Sequence, residues 1–223
     1  ITLFENDHFL VVDKPHGWLT IPGRSEADSR FCLKTEISRT QNVWVVHRLD
    51  AEVSGIVLFA KNADAHRAAN AWFESRQVQK KYEAWTQGKL PDRTEFDWKC
   101  LLARGKKRAF ESPGGKQSLT HATWVEQRLW NGGLPEPSLI QSWVLFPKTG
   151  RSHQLRFELS KHGFPILGDT LYASTIAFAP NAIALRAVEL RFDQCPEALE
   201  QFQLPQSVRA NGLAEIWLEG PSA

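Results

Sequence analysis

The stretch His47-Arg48-Leu49-Asp50-Ala51-Glu52-Val53-Ser54-Gly55-Ile56-Val57-Leu58-Phe59-Ala60 sets a guanidinium and a carboxylate close together and then runs into unbroken apolar sequence. A short apolar run of this kind reads as a buried strand over residues 54–60. Directly after it, Asn62 can cap a helix in which Ala65, Ala68, Ala69, Trp72 and Phe73 recur at helical spacing as far as Arg76. Asp50 therefore stands at the lip of a segment that must be buried. Such a position presents one ionised acid to a substrate, and it equally suits a turn carboxylate paired with Arg48 or His47.

Toward the N-terminus, Leu3-Phe4 and Phe9-Leu10-Val11-Val12 flank the turn-rich Glu5-Asn6-Asp7, which predicts a hairpin that Lys14-Pro15 stops. Toward the C-terminus, strands are expected at residues 81–86, 119–125 and 139–146. The turn joining the last two is expected within 130–137, around Asn131-Gly132-Gly133. A helix is expected after Gly150, with Ser152 as its cap, Leu155 and Leu159 on its apolar side, and Gly163 and Pro165 ending it. The Gln-, Pro- and Glu-rich tail after Cys195 is expected at the periphery, with Ile216-Trp217-Leu218 available as a last strand. Strands and helices that do not alternate regularly argue for an α+β fold with a mixed, largely antiparallel sheet and flanking helices. With 223 residues and 42% hydrophobic content, one domain over the whole length is the expectation.

A net charge of +2 is too small to announce a polyanion partner, but the cations are unevenly placed. Lys99, Arg104, Lys106, Lys107, Arg108 and Lys116 fall in one stretch against Glu111 alone, a loop that could hold phosphates or simply be solvated. Cys32, Cys100 and Cys195 share no metal-ligand spacing and read as reduced thiols of a cytoplasmic protein. No apolar run reaches the length of a spanning helix, and Ile1-Thr2-Leu3-Phe4-Glu5 lacks a signal pattern. The absence of any methionine, an initiator included, suggests a trimmed chain.

Asp50 suits a nucleophile or electrostatic stabiliser held ionised by an arginine, and Arg156, early in the expected helix, is the natural partner. Tyr82 offers either an ordinary strand aromatic or a stacking face for a base, with a hydroxyl that can pass a proton. His47, His121 and His153 have no zinc-motif spacing with Asp50, and no metal is expected.

These motifs, taken together and in order, resemble the RluA family of pseudouridine synthases. The similarity runs from Val12-Asp13-Lys14-Pro15-His16-Gly17-Trp18-Leu19 through the Asp50 stretch and Lys81-Tyr82. It continues in Gly150-Arg151-Ser152-His153-Gln154-Leu155-Arg156 and ends at Pro165-Ile166-Leu167-Gly168-Asp169 with Tyr172. The resemblance implies isomerisation of uridine in structured RNA to its carbon-glycoside, with no cofactor. It makes Asp50 the essential aspartate, Tyr82 the tyrosine packed on the target base, and Arg156 the arginine ion-paired with that aspartate. Arg48 takes the role of displacing the target nucleotide. His47 and Arg151 are expected beside the substrate, and Ile56, Leu155 and Ile166 as walls of the uracil pocket.

Two positions depart from the family pattern, Val53 in place of threonine and Glu158 in place of histidine. Leu19-Thr20-Ile21-Pro22-Gly23-Arg24 and Leu171-Tyr172-Ala173-Ser174 resemble the compact branch, which acts on large-subunit ribosomal RNA and on the anticodon stem-loop of transfer RNA. A monomer with structured RNA as its partner is the expectation. The alternatives are an RNA-binding protein of the same fold without turnover, and a metal-free hydrolase. The hydrolase lacks a second motif carboxylate to pair with Asp50.

Overall fold

A computed structural model describes residues 1–23, 31–132 and 137–218. In chain order the elements are β1 (Thr2–Glu5), β2 (Phe9–Lys14), α1 (Leu33–Ile37), β3 (Trp44–Val45), β4 (Ser54–Ala60), α2 (Ala63–Glu74), β5 (Gln79–Thr86), β6 (Glu95–Arg104) and β7 (Ala109–Glu111). They continue with β8 (Lys116–Trp130), β9 (Ser138–Pro147), α3 (Gln154–Lys161), a 3-10 turn (Thr170–Tyr172), β10 (Leu185–Arg191), α4 (Pro196–Glu200), β11 (Ser207–Arg209) and α5 (Leu213–Trp217). The chain forms two compact units. One comprises Ile1–Lys80 with Ala187–Asn211, the other Lys81–Arg186 with the segment from Gly212 onward.

In the first unit the expected hairpin is present, and its turn has a local cause. Asn6 Oδ1 accepts the N–H groups of His8 and Phe9 at 2.9 and 2.8 Å, an Asx-type turn that sets β1 antiparallel to β2. β2 pairs antiparallel with β4 from Phe9 opposite Ala60 to Lys14 opposite Gly55, and all seven residues of β4 are buried. β10 lies on the other side of β4. Gly55 has φ +111, and a Cβ there would lie 2.1 Å from the Ala187 carbonyl oxygen, so only glycine admits this approach. Asn62 caps α2 as expected, its Oδ1 accepting Ala65 N–H at 2.9 Å.

The apolar face of α2, Ala65, Ala69 and Trp72, packs with Phe9, Val11, Ile56 and Leu58 into the core of this unit. That core also takes Ala198, Phe202, Leu204 and Val208, all at most 6% exposed, so the tail after Cys195 is not peripheral. Its apolar residues are sparse, but Ala198, Phe202, Leu204 and Val208 point inward, with Phe202 5.5 Å from Trp72 and 5.7 Å from Phe9 between ring centroids. Polar contacts anchor the same tail, Glu197 accepting the Trp72 indole N–H at 2.8 Å and the Phe202 carbonyl accepting from Asn6 Nδ2 at 2.9 Å.

The second unit holds an antiparallel sheet in the order β5-β9-β8-β6-β7. The expected strands at 119–125 and 139–146 are the middles of longer ones, β8 and β9. Part of their connection, residues 133–136, lies outside the described residues, as does Arg24 of the N-terminal loop motif. β6 alternates Phe96, Trp98, Cys100 and Leu102 inward with Glu95, Asp97, Lys99 and Leu101 outward, a half-buried strand by the period-two rule. Phe96, Trp98 and Trp143 stack in its core with centroids 5.6–6.0 Å apart.

The 150s helix is α3, but its cap is His153, with φ 53, rather than Ser152. The Gln154 amide performs the anchoring there, donating to the Leu119 carbonyl and Thr120 Oγ1 and accepting from Thr149 Oγ1 and Arg151 N–H, all at 2.7–3.0 Å. Gly163, φ +87, lies just past the helix end, where a left-handed residue is required. The last strand expected at 216–218 is instead helix α5, started where Glu83 accepts Leu213 N–H at 2.9 Å, and Trp217 packs 4.7 Å from Phe178.

The architecture is α+β. All three cysteines are buried free thiols. Among the described residues no helix is long and apolar enough to cross a membrane.

Candidate active site

The loop that carries Asp50, between β3 and β4, is pinned on both sides of that residue. Thr20 Oγ1 donates to the Leu49 carbonyl and accepts Leu49 N–H, each at 3.1 Å. One residue past Asp50, the Ala51 carbonyl accepts from Lys14 Nζ at 3.1 Å and from Gly17 N–H at 2.8 Å. Lys14 is fully buried, and its ammonium also donates to the carbonyls of Pro15 and Trp18 at 3.0 and 2.7 Å. Burial pushes its pKa down to about 8, against the opposing pull of the carboxylates of Asp50, Glu52 and Asp13. Val53 N–H closes a turn onto the Asp50 carbonyl at 3.2 Å. Val53 itself is buried, so an apolar residue fits where the family pattern has a threonine.

His47 ties the start of the loop to the elements behind it. Its Nε2 accepts Leu58 N–H at 3.0 Å, and its ring stacks on Phe73 of α2 at 4.8 Å. Burial, reinforced by the charge of Lys80, holds its pKa down at about 3. The unfolded chain therefore binds this proton more tightly, with a pKa near the ordinary histidine value of 6.5. The stability contributed by neutral His47 is complete above that value and is lost as pH falls from it toward 3. Denaturant titrations of wild type and His47→Gln at pH 7.5 and 4.5 should show the wild-type advantage shrinking by about 3 kcal/mol at the lower pH. An advantage that does not change with pH would contradict this account of the ring.

In the second unit Arg156 is 3% exposed and forms a two-pronged ion pair with Asp169, itself 1% exposed. Nε meets Oδ2 at 2.6 Å and Nη2 meets Oδ1 at 2.8 Å. Such a fork fixes both the position and the plane of the guanidinium. Arg156 also stands over the Tyr172 ring, 5.4 Å from its centroid. The Tyr172 hydroxyl accepts Ala109 N–H at 2.7 Å and lies 3.1 Å from His153 Nδ1, while burial raises its pKa.

On the same helix Glu158 is buried and accepts from Ser118 Oγ at 2.5 Å and Thr120 Oγ1 at 2.6 Å. Burial raises its pKa and the two hydroxyls oppose that rise. The departure from histidine at this position is thus matched by hydroxyl donors on β8. Tyr82 is half-buried on β5, opposite Leu145 of β9. Arg151 donates from Nε to the Gln117 carbonyl at 2.9 Å, while Leu155 and Ile166 are buried.

The expected site residues thus fall on both units: His47, Arg48, Asp50 and Ile56 on the first, Tyr82, Arg151, Leu155, Arg156 and Ile166 on the second. Arg48 is exposed at the surface. Ile56 is 0% exposed and packs in the core of the first unit among Phe9, Val11 and Leu58. Four residues gain roles that sequence reasoning did not assign them. Lys14 and Thr20 hold the Asp50 loop, Asp169 orients Arg156, and Tyr172 backs that pair. Each lay inside a quoted motif, but a motif does not say which backbone group a side chain will grip. Among the described residues no three or more His, Cys, Asp or Glu side chains cluster so as to hold a metal.

A family model described as RNA pseudouridylate synthase matches residues 8–161, a span that includes the pinned loop, Tyr82 and Arg156. The chain belongs to the RNA pseudouridylate synthase family. Among relatives of this synthase, the dual-specificity RNA pseudouridine synthase RluA of Vibrio vulnificus is 35% identical over 196 residues, covering 85% of this chain and 76% of that protein. The tRNA pseudouridine synthase C of Haemophilus ducreyi is 31% identical over 179 residues, 76% of this chain and 72% of that one. The structure of human RNA Pseudouridylate Synthase Domain Containing 1 superposes with a TM-score of 0.69 at 22% identity, covering 96% of this chain and 91% of the other, a likeness of fold. The synthase is accordingly an isomerase that acts on RNA.

Proposed function

We propose that this pseudouridine synthase isomerises selected uridines of ribosomal RNA, transfer RNA or both, with Asp50 as the essential acid and without a cofactor. The observation that carries the reading is the bracketing of Asp50 by Thr20 and Lys14, which hold the backbone of its two neighbours. A carboxylate fixed through its backbone is preorganised for attack or assistance at the ribose.

The uridine must first leave its stack, at a cost of a few kcal/mol. Exposed Arg48 is suited to displace the nucleotide. The bond between N1 of uracil and C1′ breaks with help from the Asp50 carboxylate. The freed uracil turns, C5 bonds to C1′, the C5 proton departs and N1 takes up a proton. Tyr82 packs on the base, and in a glycal-type route its hydroxyl moves the sugar proton. Arg156, held in plane by Asp169, is the cation for the Asp50 carboxylate, and Leu155 and Ile166 wall the uracil pocket. His47 supports this site through the loop, and Arg151 reaches toward the RNA.

The two units act together as one catalytic domain. Support comes from connectivity, since β5 and β10 each carry residues of both units. The choice of ribosomal and transfer RNA is supported by the relatives named for dual specificity and for tRNA. The protein works as a monomer in the cytoplasm.

The assay is tritium release from ribosomal and transfer RNA labelled at uridine C5, followed by mapping of the modified positions in cells with and without the protein. RNA bound but never converted in a single turnover would replace this reading with that of a binding protein. Tyr82→Phe keeps the stacking ring and removes the hydroxyl. It should slow single-turnover conversion by about 10²-fold or more with RNA affinity little changed; an equal loss of affinity would assign Tyr82 to binding alone.

A further inference from the structure

The second unit contains a cavity of about 340 Å³ that the proposed chemistry does not use. Its walls include Phe110, Phe157, Leu171 and Tyr172, and Arg108 and the Lys161–Glu111 pair line it as well. The size suits one nucleoside, being near the roughly 300 Å³ lower end for small-molecule sites. Beside it is the turn between β6 and β7, residues 105–108, closed by Gly105 N–H to the Arg108 carbonyl at 2.9 Å.

The charge around this turn is unbalanced. Glu111, the only acid in the basic stretch, is matched by Lys161 at 2.7 Å. Arg104, Lys106, Lys107 and Arg108 have no ion-pair partner among the described residues, and all four side chains are exposed. Arg104 donates instead to the Lys107 carbonyl at 2.8 Å, which stiffens the turn. Phe110 is 46% exposed, and its ring lies 3.2 Å from where a Cβ on Gly105 would sit. Aromatic rings beside uncompensated cations are what a single RNA strand requires, a face for the base and charge for the phosphate. Tyr172, a wall of the cavity, is the ring over which Arg156 stands.

We propose that this cavity is an accessory nucleotide site that takes one unpaired nucleotide of the RNA other than the uridine being isomerised. Its base packs against the exposed ring of Phe110 and the half-buried ring of Phe157, over the buried floor formed by Tyr172, and its phosphates meet Lys106, Lys107 and Arg108. Walls that are mainly apolar recognise the π-face rather than the edge, so the site is tolerant of base identity. The proposal rests on the RNA-modifying reading of the same chain.

The test uses the full chain carrying Asp50→Asn, so that nothing turns over, with fluorescein-labelled U6 and A6 RNA followed by anisotropy. Phe110→Ala should weaken both hexamers by about tenfold and Phe110→Trp should restore them. The triple change of Lys106, Lys107 and Arg108 to Ala should flatten the salt dependence by roughly two in slope. Loss with the triple variant but not with Phe110→Ala would mean a purely electrostatic contact and overturn the base site. A melting temperature is taken for each variant. If Phe110→Ala melts early, wild-type chain photo-crosslinked to 4-thiouridine hexamers decides instead. Crosslinks at Phe110 or Phe157 support the site, and crosslinks confined elsewhere refute it. Tritium release by the wild type separately decides the isomerase reading, so either can fail without the other.

Discussion

Asp50→Asn is expected to reduce tritium release from labelled RNA by about 10⁴-fold or more, the scale on which removal of an essential acid is felt. The amide copies the shape of the carboxylate but cannot carry its charge or act as the nucleophile. The loop itself should persist, because what holds it are the backbone groups of Leu49 and Ala51, gripped by Thr20 and Lys14, and the ring of His47. Near-normal melting and RNA binding with activity gone is therefore the expected combination. Lys14 would feel the change too, since the Asp50 charge is the first of those that raise its pKa against burial. Its pKa in the variant should lie below the wild-type value of about 8. Activity within tenfold of wild type would remove Asp50 from the chemistry.

The second large effect is expected at Asp169. Removing its charge leaves the Arg156 guanidinium buried at 3% exposure without its fork, and breaking a buried pair in this way costs about 3–5 kcal/mol. Against a total stability of roughly 5–15 kcal/mol for a typical domain, Asp169→Asn should show a sharply lowered urea midpoint. Arg156→Lys should fare little better, because an ammonium cannot reproduce two parallel bonds in one plane. The double change Arg156→Met with Asp169→Leu separates the two roles of the pair. It should regain most of the lost stability, as apolar replacements of buried pairs commonly do, and yet remain inactive. A double variant that is stable and active would show that the pair serves folding alone.

The parts of this molecule that sequence displayed are those whose signal is local. The seven apolar residues of β4, the Asn62 cap and the Asn6 turn each announce themselves within a few positions. β6 and its partner β7 were equally local, since Phe96, Trp98, Cys100 and Leu102 alternate cleanly, but the surrounding basic residues drew the reading toward a loop. The tail was harder. Phe202, Leu204 and Val208 are separated by polar residues, and their burial depends on Phe9 and Trp72, far away in sequence.

The same limit governs the site. Asp50, Tyr82 and Arg156 were legible as chemistry-bearing types in recognisable company. The grip of Lys14 on three carbonyls was not, because a backbone acceptor leaves no trace in a side-chain pattern. His47 was expected beside the substrate, and no sequence signal showed that its ring also accepts from β4 and lies on Phe73. Ile56 sits in a strand buried on both faces, where sequence cannot tell core from pocket.

The interleaving of the two units bears on how the chain matures. Residues 81–186 form most of one unit as a single continuous segment, whereas the other comprises residues 1–80 and is completed only by residues 187–211. During synthesis the segment carrying Asp50 therefore waits, without β10, α4 and β11, until the whole intervening segment 81–186 has been made. The long loop closures this entails favour slow folding. A chain cut short before residue 187 would lack the partners of Trp72 and Phe9, and it would leave an aggregation-prone fragment that still carries Asp50.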